Sequence, residues 1–238
     1  MATVLILGGT SGIGEATARA FLDRGDRVTV AGRDPERLAG ALTRLGDRAD
    51  GEALDAADPR GVAALAARIA PIDVLVLALS GARGGGPFAT LELSELRAGF
   101  EGKLWPQLTA LQQALPSMAP DGAVVMVTAG SARSDLPGTA GLAAINGALE
   151  AMVGPLAAEL APLRVNAVSP GVVDTPWWDA LGPDTAQGVF EHFAGWLPAG
   201  RIGRPEDISS AIVALATNGY ITGSILDCAG GQHLAVGR

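Results

Sequence analysis

The sequence predicts an α/β fold: a single domain built on a doubly wound parallel sheet with helices on both faces. Three observations predict it. Short β-branched and aliphatic runs alternate with longer Ala/Leu-rich segments of helical period, as crossover connections between parallel strands require. Three glycines, Gly8, Gly12 and Gly14, stand where the first run gives way to the first helical segment. The chain has 238 residues, 48% of them hydrophobic, and shows no linker, low-complexity tract or solenoid period. That length and composition suit one domain, residues 1–238, with a large core.

Taken in order, "TVLILG", "RVTVAG", "DVLVLAL", "AVVMVTAG", "RVNAVSP" and "SILDCAG" read as buried strands. Between them, "GEATARAFLDRG", "DPERLAGALTRLG", "DPRGVAALAARIA", "LSELRAGFEGKLWPQLTALQQALP" and "AAINGALEAMVGPLAAELAP" have helical spacing. Asp34-Pro35 and Asp58-Pro59 each set a capping acid before a proline at the first helical position. Residues 176–204, which hold three tryptophans, read as one long irregular segment, and a loop of that length in a compact fold predicts a lid over a site.

Composition excludes several classes. A net charge of −8 disfavours a phosphate backbone, so no nucleic-acid partner is expected. One cysteine, Cys228, rules out an internal disulfide and fits a reducing cytoplasm. The apolar run Val74–Leu79 is too short to span a bilayer, and the N-terminus runs straight into a strand without a basic leader. The expectation is a cytoplasmic protein with a small-molecule substrate, no membrane partner and no metal site.

The first strand–turn–helix predicts a phosphate cradle over Gly8, Thr10, Ser11, Gly12, Ile13 and Gly14. Glycines there permit close backbone approach to a pyrophosphate, and the helix N-terminus favours negative charge. The second strand ends at Ala31-Gly32-Arg33. No acid precedes Arg33 to accept from a ribose 2′-hydroxyl, whereas a guanidinium pairs well with a 2′-phosphate. NADP(H) is therefore the expected cofactor, with Asp34 turned away as a helix cap.

The spacing G-x-x-x-G-x-G resembles that of the short-chain dehydrogenase/reductase family. The likeness continues through "RVNAVSPGVVDTP" and "GRIGRPEDISSAIVALATNGYITGSILDCAGG", in the family's order. It implies a Rossmann-type fold and further cofactor contacts at Asp55 and Ala56, at Ala78 and Ser80, and at Pro170, Gly171, Val173 and Thr175. For Asp55 a plain cap or turn role stands equally open. The family sets a tyrosine and a lysine four residues apart on one helix face, the tyrosine donating a proton as hydride arrives. Aligned on "GLAAINGALEAM", those positions become Ile145 and Leu149, and the chain has one tyrosine, Tyr220, and one lysine, Lys103, far apart.

Lys103 stands where relatives carry an asparagine of the catalytic network. An ammonium beside a cavity left by two missing polar side chains, desolvated next to Ile145 and Leu149, has a lowered pKa and becomes a candidate acid, directly or through a water it orders. Asn146 is placed to orient it or bind water. Ser131 matches the family serine that binds the carbonyl, with Thr128 and Ser134 as alternatives. In the lid, Trp177, Trp178, His192 and Trp196 suggest a bulky apolar or aromatic substrate, although helical packing explains such aromatics equally well. The function expected is NADPH-dependent reduction of a carbonyl. Non-redox cyclisation, isomerisation or dehydration around a structural nucleotide, and a nucleotide-responsive partner protein, stand as alternatives. The resemblance also implies a homodimer or homotetramer.

Overall fold

The computed structural model describes residues 1–81 and 83–234. Seven parallel strands form one sheet in the order β3-β2-β1-β4-β5-β6-β7. They are β1 (Thr3–Leu7), β2 (Arg27–Gly32), β3 (Ala49–Ala53), β4 (Ile72–Leu77), β5 (Met118–Val127), β6 (Arg164–Pro170) and β7 (Ile225–Cys228). Helices α1 (Gly12–Asp23), α2 (Pro35–Leu45), α3 (Pro59–Ile69), α4 (Leu93–Ala114) and α5 (Ala140–Glu159) make the crossovers, followed by α6 (Pro183–Trp196) and α7 (Pro205–Thr217).

The alternation of side chains along each strand sorts the core into two layers. Val4 and Ile6 of β1 join α1, α2 and α7 on one face. Leu5 and Leu7 face the opposite way, towards α3, α4 and α5. Both faces are covered, so the central strands are apolar throughout. Helix α5 is long and apolar enough to cross a membrane by length and composition alone, but here it packs on the sheet through Ile145, Leu149, Val153 and Ala157.

Two caps form as their sequences predict. The Asp34 carboxylate accepts from the Glu36 and Arg37 amides at 2.9 and 3.2 Å, and Asp58 accepts from the Arg60 amide at 3.1 Å. Asp34→Ala is expected to cost about 1 kcal/mol in denaturant unfolding.

Two expectations are corrected. The edge strand β3, "ADGEA", is a seventh strand outside the six hydrophobic runs, in the place before Asp55 where the resemblance implies a third strand. Its side chains are mostly solvated, and pairing with β2 holds it. Residues 176–204 are not irregular: a 3₁₀ turn at Pro176–Leu181 leads into α6. Helix α6 buries Ala186 and little else, so its period is faint in the sequence.

The strand order reverses between β1 and β4, and the loops that leave the carboxyl ends of the strands border the crevice this creates.

Candidate active site

The cradle is built from backbone that tolerates no side chain. Gly8 has φ +84°, and a Cβ there would lie 2.5 Å from the Ala78 carbonyl oxygen; one on Gly14 would lie 2.1 Å from the Gly8 oxygen. Helix α1 starts at Gly12 after an extended Ser11 whose side chain makes no capping bond. The first-turn N–H groups of Gly12, Ile13 and Gly14 thus have no acceptor within the helix, an arrangement that suits an anion. Thr10 lies against Gly32 at the tip of β2, and Thr175 lies over Gly12, a built Cβ there coming within 3.2 Å of it. The Ala78 amide donates to Leu7 at 2.9 Å, which ties the end of β4 to the cradle, while Ser80 beyond it is exposed. After β6, the Gly171 amide donates to Cys228 at 3.2 Å and buried Val173 bridges to Gly203, so the segment from Pro170 returns Thr175 to the cradle.

Arg33 is exposed at the end of β2, and among the described residues it makes no ion pair or hydrogen bond. Its neighbour Asp34 is committed to the α2 cap. Asp55 is exposed and its carboxylate accepts from the Ala57 amide at 3.0 Å, the turn role that stood open beside an adenine contact; Ala56 next to it is buried.

At the carboxyl end of β5 lies a buried polar cluster. Lys103, 8% exposed, donates from Nζ to the Thr128 carbonyl at 3.1 Å. The Thr128 hydroxyl donates to Glu150 Oε1 at 2.9 Å and also lies 3.1 Å from the Val168 carbonyl. Glu150 Oε2 is 3.4 Å from Arg133 Nε, and the guanidinium of Arg133 also pairs with Asp227. Asn146 donates to Ser131 Oγ at 3.2 Å and to the Leu142 carbonyl at 2.9 Å, while its buried Oδ1 has no partner. Burial, which strips water from the ammonium, pulls the Lys103 pKa down to about 8, with the Glu150 charge acting in the opposite sense. Lys103 and Glu150 thus meet at Thr128, and Asn146 meets Ser131 three residues further along the chain.

Among the described residues, Ile145 and Leu149 do not border the expected vacated cavity but are packed into the interior. Ile145 and Leu149 are 2% and 0% exposed. Gly99 of α4 and Gly84 of the loop after β4 close over Ile145, and Leu149 joins the main core. Both residues point inward because burying their aliphatic side chains is favourable. The stripe of α5 that faces the strand end is one residue on: Leu142, Asn146 and Glu150, at successive intervals of four. Glu150 is the member of this buried polar cluster that the sequence pattern missed. Its signal was a lone carboxylate in the middle of an apolar helix.

The aromatic residues of the segment 176–204 form two groups. Trp178 donates from its indole to the Val173 carbonyl at 2.9 Å and meets Trp177 and Phe190 edge-on at 4.7 and 5.6 Å. Phe193 meets His192 and Trp196 at 5.6 and 5.8 Å. No ring contact joins the two groups among the described residues. His192 is exposed. A cavity of about 300 Å³ opens between Leu197, Arg201, Cys228 and His233, and none of the expected site residues lines it.

A strand-end crevice with a glycine cradle invites comparison with nucleotide-dependent enzymes. The family model described as enoyl-(acyl carrier protein) reductase matches residues 8–233. The chain belongs to the short-chain dehydrogenase/reductase family. That membership places it among oxidoreductases. A granaticin polyketide synthase putative ketoacyl reductase from Streptomyces violaceoruber is 31% identical, over 97% of this chain and 95% of its own. The short-chain dehydrogenase/reductase malC of Malbranchea aurantiaca is 28% identical over 97% and 94%. The solved structure of MalC reductase/Diels-Alderase superposes with TM-score 0.87 at 26% identity, covering 97% and 95% of the two chains. A small-chain dehydrogenase in complex with NADPH superposes with TM-score 0.86 at 29% identity, covering 98% and 99%.

Proposed function

We propose that this protein reduces a carbonyl group on a bulky apolar or aromatic molecule with NADPH, and that Lys103 supplies the proton. The observation that carries this is the single lysine of the chain, buried at the end of β5 with one hydrogen bond, to a main-chain carbonyl, and a pKa of about 8. The cradle and Arg33 fit a phosphorylated dinucleotide: bare helix-terminal N–H groups suit the pyrophosphate, and an unpaired guanidinium at the β2 tip suits the 2′-phosphate. The NADPH-bound relative and the ketoacyl reductase relative support the same cofactor and substrate class.

Gly8, Gly12, Gly14 and Arg33 would hold the dinucleotide, whose chemistry there would be hydride donation to a carbonyl carbon. The protein's own groups do the rest. Ser131, held by Asn146, offers a hydroxyl to the substrate oxygen. Lys103 holds a proton on Nζ and releases it as negative charge grows on that oxygen, a task for which a pKa near the working pH is well suited. Trp177 and Trp178 at the start of the lid cover the apolar part of the substrate.

A second reading keeps the dinucleotide as a structural element while the cavity guides a cyclisation, isomerisation or dehydration. The description of the MalC relative as both reductase and Diels-Alderase favours keeping it. One experiment separates the two: incubate the protein with NADPH and a panel of aromatic and polyketide-like ketones, following absorbance and product mass together. Oxidation of one NADPH per product two hydrogens heavier supports reduction. Product of unchanged mass without NADPH oxidation supports the second reading. For the cofactor, Arg33→Glu is expected to weaken NADPH at least tenfold relative to NADH, read as the ratio of the two dissociation constants.

A further inference from the structure

We propose that Glu150 is a positioning residue that keeps Lys103 charged, and that the surface residue Arg133 tunes this effect through Glu150. The geometry is that of one residue gripped from two helices. Lys103 of α4 takes the main-chain oxygen of Thr128, and Glu150 of α5 takes the hydroxyl of the same threonine. Cation and carboxylate are thereby fixed on either side of Thr128 without a direct ion pair among the described residues. Glu150 is 7% exposed, and a carboxylate that deeply buried needs compensation. Part of it comes from Arg133, whose guanidinium is 46% exposed and shared with Asp227 of β7.

Among the described residues, the remaining elements around Lys103 offer no competing charge. The ends of β4 and β5 present the main-chain oxygens of Leu79 and Val127, both taken by the Gln107 amide. In the loop after β4, Arg83 is paired with Glu95 at the exposed start of α4. On α4 itself Glu101 is exposed. Glu150 is the charge that acts on Lys103 and stabilises the ammonium, while burial opposes it. Arg133 sets a positive charge against the same carboxylate, so removing it takes away a potential that opposes the ammonium.

The inference deepens the proposed role of Lys103, but it is testable without turnover. Because the chain has one lysine, protein labelled with ¹³C-lysine gives a single side-chain signal whose shift reports Lys103 alone. Glu150→Gln, which can still accept from Thr128, is expected to lower the titration midpoint by about one pH unit or more. Arg133→Gln is expected to raise it. Opposite displacements would establish the coupling, since a purely structural role for either residue predicts no such pair of signs. An unmoved midpoint in both variants, or movement in the same direction, overturns it. Should Glu150→Gln fail to fold, the Arg133→Gln shift decides alone: upward supports the coupling, and none or downward overturns it. If the midpoints move as expected while the basic limb of kcat stays in place, the coupling stands and the role of Lys103 as acid falls.

Discussion

Lys103→Met is expected to lower carbonyl-dependent NADPH oxidation by about 100-fold or more while making the protein more stable at pH 7. The two effects have one origin. A buried ammonium is useful as an acid because the fold disfavours its charge. Its folded pKa of about 8 lies below the ordinary 10.5. At pH below 8 both folded and unfolded chains carry the proton, and the full cost of burying the charge is present. Between about 8 and 10.5 the folded chain has lost the proton and the unfolded chain has not, so the cost fades and stability rises with pH. The penalty at neutral pH is roughly 3 kcal/mol at most, and methionine, of similar length and without charge, removes it. Denaturant unfolding at pH 7 and at pH 10.5 measures the prediction: the gain over wild type at pH 7 shrinks at the higher pH. A variant that is both inactive and destabilised at pH 7 would instead mark Lys103 as a structural residue.

Gly14→Ala is expected to lower affinity for NADP(H) at least tenfold and to destabilise the fold by about 1–3 kcal/mol. The added methyl would lie 2.1 Å from the Gly8 oxygen and 2.8 Å from its carbonyl carbon, atoms of backbone that cannot swing aside. The cradle must open, and the helix N-terminus moves away from the pyrophosphate. Gly154→Ala is the control, because nothing lies within 4 Å of the added atom on that part of α5. It is expected to leave binding unchanged and to add up to about 1 kcal/mol of helix stability. Calorimetric titration with NADPH and denaturant unfolding of both variants read the contrast.

Much of this arrangement is legible in the sequence because it depends on local chemistry. The β1–α1 turn announces itself through glycines at positions where a Cβ would meet backbone, and the caps of α2 and α3 through an acid followed by proline. Strand β3 is less visible, since an edge strand of "ADGEA" owes its form to its neighbour β2 rather than to burial. Helix α6 is hidden for the related reason that it buries almost nothing. The site is legible in part. Lys103 and Ser131 are singled out by the resemblance to the family and Asn146 by its place beside Ile145, but the face of α5 that meets the strand end lies one residue away from Ile145 and Leu149. Ile145 and Leu149 are set in the core by packing against Gly84, Gly99 and the sheet, contacts that no periodicity within α5 reveals. Glu150 depends on Thr128, 22 residues earlier, and on Arg133, and such a network is fixed only when β5 and α5 come together.

The dependence of kcat on pH, measured with saturating NADPH and ketone, tests the role of Lys103 most directly. Carbonyl reduction consumes a proton, and a lysine acid delivers it only in its protonated form. The account predicts a plateau below pH 7 and a fall as pH rises through about 8 in the wild type, with no such limb in the residual activity of Lys103→Met. A wild-type rate that is flat from pH 6 to pH 10, or a limb that persists unchanged in Lys103→Met, would contradict it.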